Sequence, residues 1–247
     1  MSKIFLTSDL HFGHDREFVW KVRGFNSVDE MNETIVEIWN ATVADEDHVY
    51  VLGDLMLGSV ENINWIKKLN GNIHIVLGNH DTANREKMYR ELENVVEVEC
   101  AIRLNYKKYH FFLTHFPCMT GNLERESLKQ MTCNLYGHTH QTGNFYEDRP
   151  YMYHVGVDSH GCCPVFIDDI ITEMNAKVRE CIDFLTDEVD EYNEKYEAMQ
   201  EIAVRAGTPD QSRCDHCVFT PLTCGSYDRD RQCSKYKREA TDGGFYG

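Results

Sequence analysis

Eight short runs along the chain are apolar and then stop abruptly at a turn-forming or polar residue: "KIFLTSD", "HVYVLGD", "IHIVLGN", "VVEVECAIRL", "KYHFFLTH", "CNLYGH", "YMYHVGV" and "PVFIDDI". Their Val, Ile, Phe and Tyr content and their Gly, Asn and Asp boundaries predict β-strands. Between the early runs the apolar spacing turns helical. Ser27 followed by Glu30 predicts a capping box for a helix to about Val43. Ser59 is placed to cap a second helix through "ENINWIKKLN", with Gly71 ending it, and 83–93 and 122–131 form weaker helical segments. The first half thus alternates strand and helix. From about Val95 the pattern is nearly all strand, with "NYKK" as a hairpin turn. This mixture predicts an α/β fold with two mixed sheets rather than one parallel sheet.

From Glu173 the texture changes. Met174, Val178, Cys181, Leu185, Val189, Tyr192, Tyr196, Met199, Ala203 and Ala206 recur by threes and fours among charged residues. They predict one amphipathic helix on the order of 50 Å long. It packs along its own domain or forms a coiled-coil-like homodimer seam. "GTPDQS" breaks it, and a Cys-rich segment follows. The expected organisation is a domain over 1–172, a helix over 173–207 and a tail over 208–247.

Composition narrows the options. The apolar fraction is 42%, enough for a core, and no apolar run approaches the ~18 residues of a membrane span. "MSKIFLTSDL" has no secretory signal pattern, so a cytoplasmic location is expected. The net charge of −16 disfavours broad nonspecific nucleic-acid binding. Ten cysteines without a secretory signal read as free thiols or metal ligands. Cys100, Cys118, Cys133, Cys162, Cys163 and Cys181 are scattered among apolar residues and are expected in the core. Cys214, Cys217, Cys224 and Cys233 form C-x2-C-x6-C-x8-C, a spacing that favours structural Zn²⁺, with an iron–sulfur cluster as the alternative and His216 as a lesser ligand. Arg229, Arg231, Lys235, Lys237 and Arg238 give this tail a basic face.

The strand ends carry the candidate chemistry. Asp9 and His11 follow the first run, Asp54 the second, Asn79 and His80 the third, His115 the fifth, and His138 and His140 the sixth. Five apolar runs thus end in carboxylate, imidazole or amide. On extended chain, i and i+2 point the same way, so D-x-H and H-x-H would each aim two ligands at one spot. Strand ends in an α/β sheet border a crevice, and seven such ligands suffice for two cations. The donor mix suits Mn²⁺, Fe²⁺, Zn²⁺, Co²⁺ or Ni²⁺ and not Ca²⁺.

Taken together, "SDLH", "LGDL", "GNHD", "LTH" and "GHTH", in that order over about residues 3–170, resemble the calcineurin-like metallophosphoesterase superfamily, with "DLHFGH" similar to its small bacterial and phage members. The resemblance implies a four-layer αββα sandwich of two mixed sheets. It implies that Asp9, His11 and His140 hold one metal, that Asn79, His115 and His138 hold the other, and that Asp54 bridges them. His80 would face substrate and protonate the leaving oxygen. Asp81 would orient His80 or cap the following helix. Two metals about 3.5–4 Å apart would activate a bridging hydroxide for in-line attack on phosphorus.

His14 is a further candidate for a substrate phosphate contact and His160 for the rim, each against a structural alternative. His48, His74, His110 and His154 are expected to be structural, and Lys67-Lys68 and Lys107-Lys108 solvated. The expected activity is hydrolysis of a phosphodiester or nucleotide-like phosphoester. The alternative is a nuclease using the Cys-rich tail to engage single-stranded nucleic acid. A binding module that kept the fold without turnover is a third class, disfavoured by the complete ligand set.

Overall fold

The computed structural model describes residues 2–120 and 127–205. The chain divides into two compact units, Met1–Ile182 and Asp183–Gly247. In the first unit, β1 (Ile4–Thr7), β2 (His48–Leu52), β3 (Asn72–Val76) and β4 (Val95–Glu99) run parallel, and β9 (Val165–Phe166) adds antiparallel beside β1, giving the order β4-β3-β2-β1-β9. A second sheet has the order β5-β6-β7-β8, from β5 (Ile102–Tyr106), β6 (Tyr109–Leu113), β7 (Thr132–Tyr136) and β8 (Met152–His154). Its β5–β6 pair is antiparallel and the other two pairs are parallel. Both sheets are therefore mixed, as expected.

β1, β2 and β3 of sheet one are covered on both faces, which is why they read as continuous apolar runs. Val49, Val51, Ile73 and Ile75 face the helical layer of α2 (Val28–Thr42), where Met31, Ile35 and Trp39 make a buried stripe at fourfold spacing. Tyr50, Leu52 and Val76 alternate to the other side and join Phe111, Leu113 and Leu135 of sheet two. The fully buried Trp39 donates its indole N–H to the Asn70 carbonyl at 2.9 Å. Burying side chains of this size contributes about 1.5–3 kcal/mol each. The Ser27 cap forms, its hydroxyl accepting from the Glu30 N–H.

Several boundaries differ from the sequence pattern. "VVEVECAIRL" is two strands in different sheets, with Cys100 and Ala101 carrying the chain across. No Gly or Pro marks that crossing. "PVFIDDI" yields two strand residues before α5 (Ile167–Arg205), which therefore starts six residues before Glu173. Asp168 and Asp169 lie in its first turn, where the helix dipole favours acids. "ENINWIKKLN" gives only a 3₁₀ turn and the single-turn α3 (Ile63–Ile66). There the Asn62 amide donates to the Leu57 carbonyl, a local alternative to propagating a helix. The short helices α1 (Glu17–Trp20) and α4 (Ala83–Arg90) complete the set, and Leu128–Gln130 is a 3₁₀ turn.

"NYKK" is the expected hairpin turn. Tyr106 pairs with Tyr109, and Lys107 and Lys108 adopt φ of 46° and 71°, matching the twist of the strands. Of the six scattered cysteines, Cys133 and Cys162 are buried, Cys118, Cys163 and Cys181 are half-buried, and Cys100 is exposed at the crossing. Among the described residues no helix is long and apolar enough to cross a membrane. In the second unit the structure describes helix to Arg205. The Cys-rich segment, with Cys214, Cys217, Cys224 and Cys233, lies outside the described residues, as does the 122–126 part of the expected helix over 122–131.

Candidate metal centre

The ends of β1, β2, β3, β6 and β7 deliver Asp9, His11, Asp54, Asn79, His115, His138 and His140. The i, i+2 pairs do not aim their side chains by strand pleat. Asp9 (φ 59°), His11 (52°), Asp54 (57°), His138 (68°) and His140 (48°) all adopt left-handed backbone. For residues other than glycine this costs on the order of 1 kcal/mol each. The strain is held by cross-links between strand ends. Asp9 N donates to the Gly53 carbonyl at 3.0 Å and His11 N to the Asp54 carbonyl at 3.0 Å. His138 N donates to Asp9 Oδ2 and His80 N to Asp54 Oδ1, both at 2.9 Å.

Close approach explains the glycines before the ligands. A Cβ on Gly78 would lie 2.2 Å from Asp54 Oδ1, and one on Gly137 would lie 2.6 Å from Asp9 Oδ2.

Two clusters result. His11 Nε2 and His140 Nε2 are 3.2 Å apart, and Asp9 Oδ1 lies 3.9 and 3.8 Å from them. His115 Nε2 lies 3.5 Å from Asp54 Oδ2 and 2.9 Å from Asn79 Oδ1, with its Nδ1 on the Leu52 carbonyl at 2.8 Å. The His138 ring stands 4.9 Å from that of His115. Asp54 Oδ2 is also 3.8 Å from His11 Nε2, so its carboxylate reaches both clusters. Asp9, His11 and His140 can each offer one donor atom to a single cation, as can Asp9, Asp54 and His115.

The residues fit divalent cations. Asp9, His11, Asp54 and His115 are all buried, and Asp9 Oδ1 has no hydrogen-bond partner. A buried carboxylate oxygen facing imidazole nitrogens, with no donor of its own, is an arrangement a cation stabilises. Burial pushes the Asp9 carboxyl up, against the pull of His140 and the Ser8 hydroxyl. Burial, aided by Arg23 and His140, holds His11 down at about 2, so its ring is neutral and ligand-ready. Burial also lowers His138.

His80 is at the mouth, its side chain 42% exposed and its Nε2 3.8 Å from Asp54 Oδ2. The helix cap expected of Asp81 is made by Thr82, whose side chain accepts from the Arg85 N–H. Instead Asp81 Oδ2 accepts from the N–H groups of Gly78 and Asp54 at 2.8 Å each, and Oδ1 accepts from the Tyr89 hydroxyl at 2.9 Å. Asp81 thus ties the ends of β2 and β3 together from beneath. His14 sits beside the centre, its ring 5.4 Å from His11.

His160 does not line the rim by its polar edge: its Nε2 bonds the His154 carbonyl and its ring stacks on Tyr153. His48, His74 and Glu97 form a hydrogen-bonded chain elsewhere, His110 bonds Asn105, and His154 is buried against Ser159. Lys107 pairs with Asp168 and Lys68 stacks over Trp65. Two participants escaped the sequence pattern. Asp158, after β8, accepts from His140 Nδ1 at 2.7 Å, and Arg23 Nε donates to Asp158 at 2.8 Å. Burial would raise the Asp158 carboxyl, yet these bonds hold it well below the usual range. Neither residue sits in a ligand motif, although Asp158 does follow an apolar run, as the ligands do.

The family model described as the calcineurin-like phosphoesterase superfamily domain matches residues 2–157. The uncharacterized protein MJ1445 of Methanocaldococcus jannaschii is 32% identical over 180 residues, covering 69% of this chain and 90% of that protein. The gene 66 protein of Mycobacterium phage L5 is 28% identical over 190 residues, covering 65% of this chain and 89% of the phage protein. The crystal structure of a protein of unknown function, AQ665 from Aquifex aeolicus, shares the fold, with a TM-score of 0.54 at 20% identity over 70% of this chain and 99% of that one. With the family match spanning more than half of its residues, the chain belongs to the calcineurin-like phosphoesterase superfamily.

Proposed function

We propose that this protein is a dinuclear-metal-dependent phosphoesterase that hydrolyses a phosphodiester or nucleotide-like phosphoester. One observation supports the reading: Asp9 Oδ1, a buried carboxylate oxygen without a donor, lies where His11 and His140 on one side, and Asp54 and His115 on the other, can each offer a further donor atom to a cation. Asp9, His11 and His140 would hold one cation, Asn79, His115 and His138 the other, and Asp54 would be shared. When bound, such a pair supplies an acidified water and neutralises phosphoryl charge.

The chain's own groups do the rest. Asp81 fixes the Asp54 backbone, so the shared carboxylate keeps its place. His80, half-exposed beside Asp54, would give a proton to the departing oxygen. Arg85 holds the His80 carbonyl and so fixes the start of that turn. Two exposed aromatic rings border the mouth, Phe116 (48% exposed) against His138 and Phe18 (70%) against His14. Exposed apolar side chains beside a polar centre favour an ester with a flat organic group.

The test is a Mn²⁺-supplemented panel of an aryl phosphomonoester, an aryl phosphodiester, cyclic nucleotides and single-stranded nucleic acid. Turnover of the diester or a cyclic nucleotide, lost together with bound metal in Asp54→Ala, is the expected result. Inactivity on every small ester, or full activity in Asp54→Ala, refutes the proposal. Cleavage of the polymer alone selects the nuclease alternative.

A further inference from the structure

Arg23 is a buried cation with all five donors used, one on Met31 Sδ at 3.6 Å and four on the two sides of the centre. Nε and one terminal nitrogen donate to the two Asp158 oxygens at 2.8 and 3.2 Å. The same terminal nitrogen reaches the Asp9 carbonyl at 2.8 Å, and the other reaches the Leu10 carbonyl at 3.2 Å. The guanidinium therefore clamps the left-handed Asp9–His11 turn, which ends a strand of sheet one. It also clamps Asp158, which follows a strand of sheet two.

Asp158 passes the constraint on. As a carboxylate taking two bonds from Arg23, it is acceptor-only, so the 2.7 Å contact must be donated by His140 Nδ1–H. With Nδ1–H given to Asp158, the atom His140 turns to the centre is Nε2, 3.2 Å from His11 Nε2 and 3.8 Å from Asp9 Oδ1. In the other cluster His115 has a support of its own, its Nδ1 resting on the Leu52 carbonyl.

We propose that Arg23 and Asp158 are positioning residues that set the affinity of the Asp9–His11–His140 cation position and leave the Asn79–His115–His138 position to its own supports. This rests on the two-cation function proposed above. It assigns a task to a buried ion pair outside the ligand motifs. It also makes the two positions separable: outer partners of ligating imidazoles typically affect metal affinity by 10–100-fold.

The experiment uses the full-length, metal-stripped protein titrated with Mn²⁺, free Mn²⁺ being read by EPR. Manganese is chosen because thiolates bind it poorly, which keeps the cysteines silent. Wild type, Asp158→Asn and Arg23→Gln are compared, with near-UV circular dichroism to confirm folding. In parallel, ¹⁵N-histidine NMR of the metal-free protein reads the His140 tautomer, which requires neither turnover nor metal. The expected result is that wild type binds two Mn²⁺ and that in each variant one binding event weakens 10–100-fold while the other moves by less than about threefold. Wild-type His140 is expected to be protonated at Nδ1, with an Nε2-protonated fraction arising in Asp158→Asn. Unaltered binding in both variants, or equal weakening of both events, overturns the inference while the two-cation function stands. Binding of fewer than two Mn²⁺ by wild type defeats the two-cation function itself. The NMR arm then still decides the linkage, and a tautomer indifferent to Asp158→Asn overturns it.

Discussion

Replacing Asp81 separates a structural tie from a catalytic one. In Asp81→Ala, the N–H groups of Gly78 and Asp54 and the hydroxyl of Tyr89 lose their acceptor, and Tyr89 is fully buried. Each buried donor left unmade costs about 1–3 kcal/mol, so the variant should lose about 3 kcal/mol or more. Asp81→Asn behaves differently. Its amide oxygen can replace Oδ2 as acceptor for both N–H groups, and its NH₂ can donate to a rotated Tyr89 hydroxyl. Burial pushes the Asp81 carboxyl up, against the pull of these same bonds, so a neutral replacement forfeits little by losing charge. The expected loss is about 1 kcal/mol. Urea denaturation of the metal-free proteins at pH 7 reads both numbers. If Asn is as damaging as Ala, or if Ala costs less than 1 kcal/mol, the account of Asp81 as an acceptor for three donors is wrong. If Asp81→Asn keeps its stability and Mn²⁺ affinity but loses turnover, Asp81 acts on His80 after all.

Three further outcomes follow from the same geometry. On the proposed reading, in which His80 gives a proton and holds no cation, His80→Ala should lower kcat by about 10²–10⁴-fold while elemental analysis still finds metal; an emptied centre would contradict this. Gly137→Ala would drive a Cβ to within 2.6 Å of Asp9 Oδ2, so Mn²⁺ affinity should fall by about tenfold or more, with isothermal titration as the check. His154 is fully buried, and that burial, with His160 nearby, lowers it from 6.5 to about 4. Between those values the unfolded chain binds more protons, so the contribution is complete above pH 6.5 and disappears as pH falls towards 4, a change of up to about 3 kcal/mol. His154→Gln should flatten that part of the stability–pH profile, and an unaltered slope would refute the assignment.

The candidate ligands were legible because their chemistry is local. A strand that stops at Asp, Asn or His announces itself in a dozen letters, and D-x-H and H-x-H keep both partners within three residues. The helix over Val28–Thr42 was legible for the same reason, its cap and apolar stripe being short-range features. The break inside "VVEVECAIRL" was not legible, because either half suits a strand and only the packing of two sheets decides which strand belongs to which.

What the sequence determined by itself was the inventory: which side chains end strands, which types they are, and that they suit divalent cations. What only the tertiary structure decided was how they are aimed and held. The left-handed backbone at Asp9, His11, Asp54 and His138 is stabilised by bonds from elsewhere in the fold. Asp81 serves Asp54 and Tyr89, and Arg23 meets Asp158 across 135 positions. The physical reason is common to all of them. Spacing along a chain encodes which groups share a local face, whereas an acceptor for a buried donor is chosen by whatever the fold brings within 3 Å.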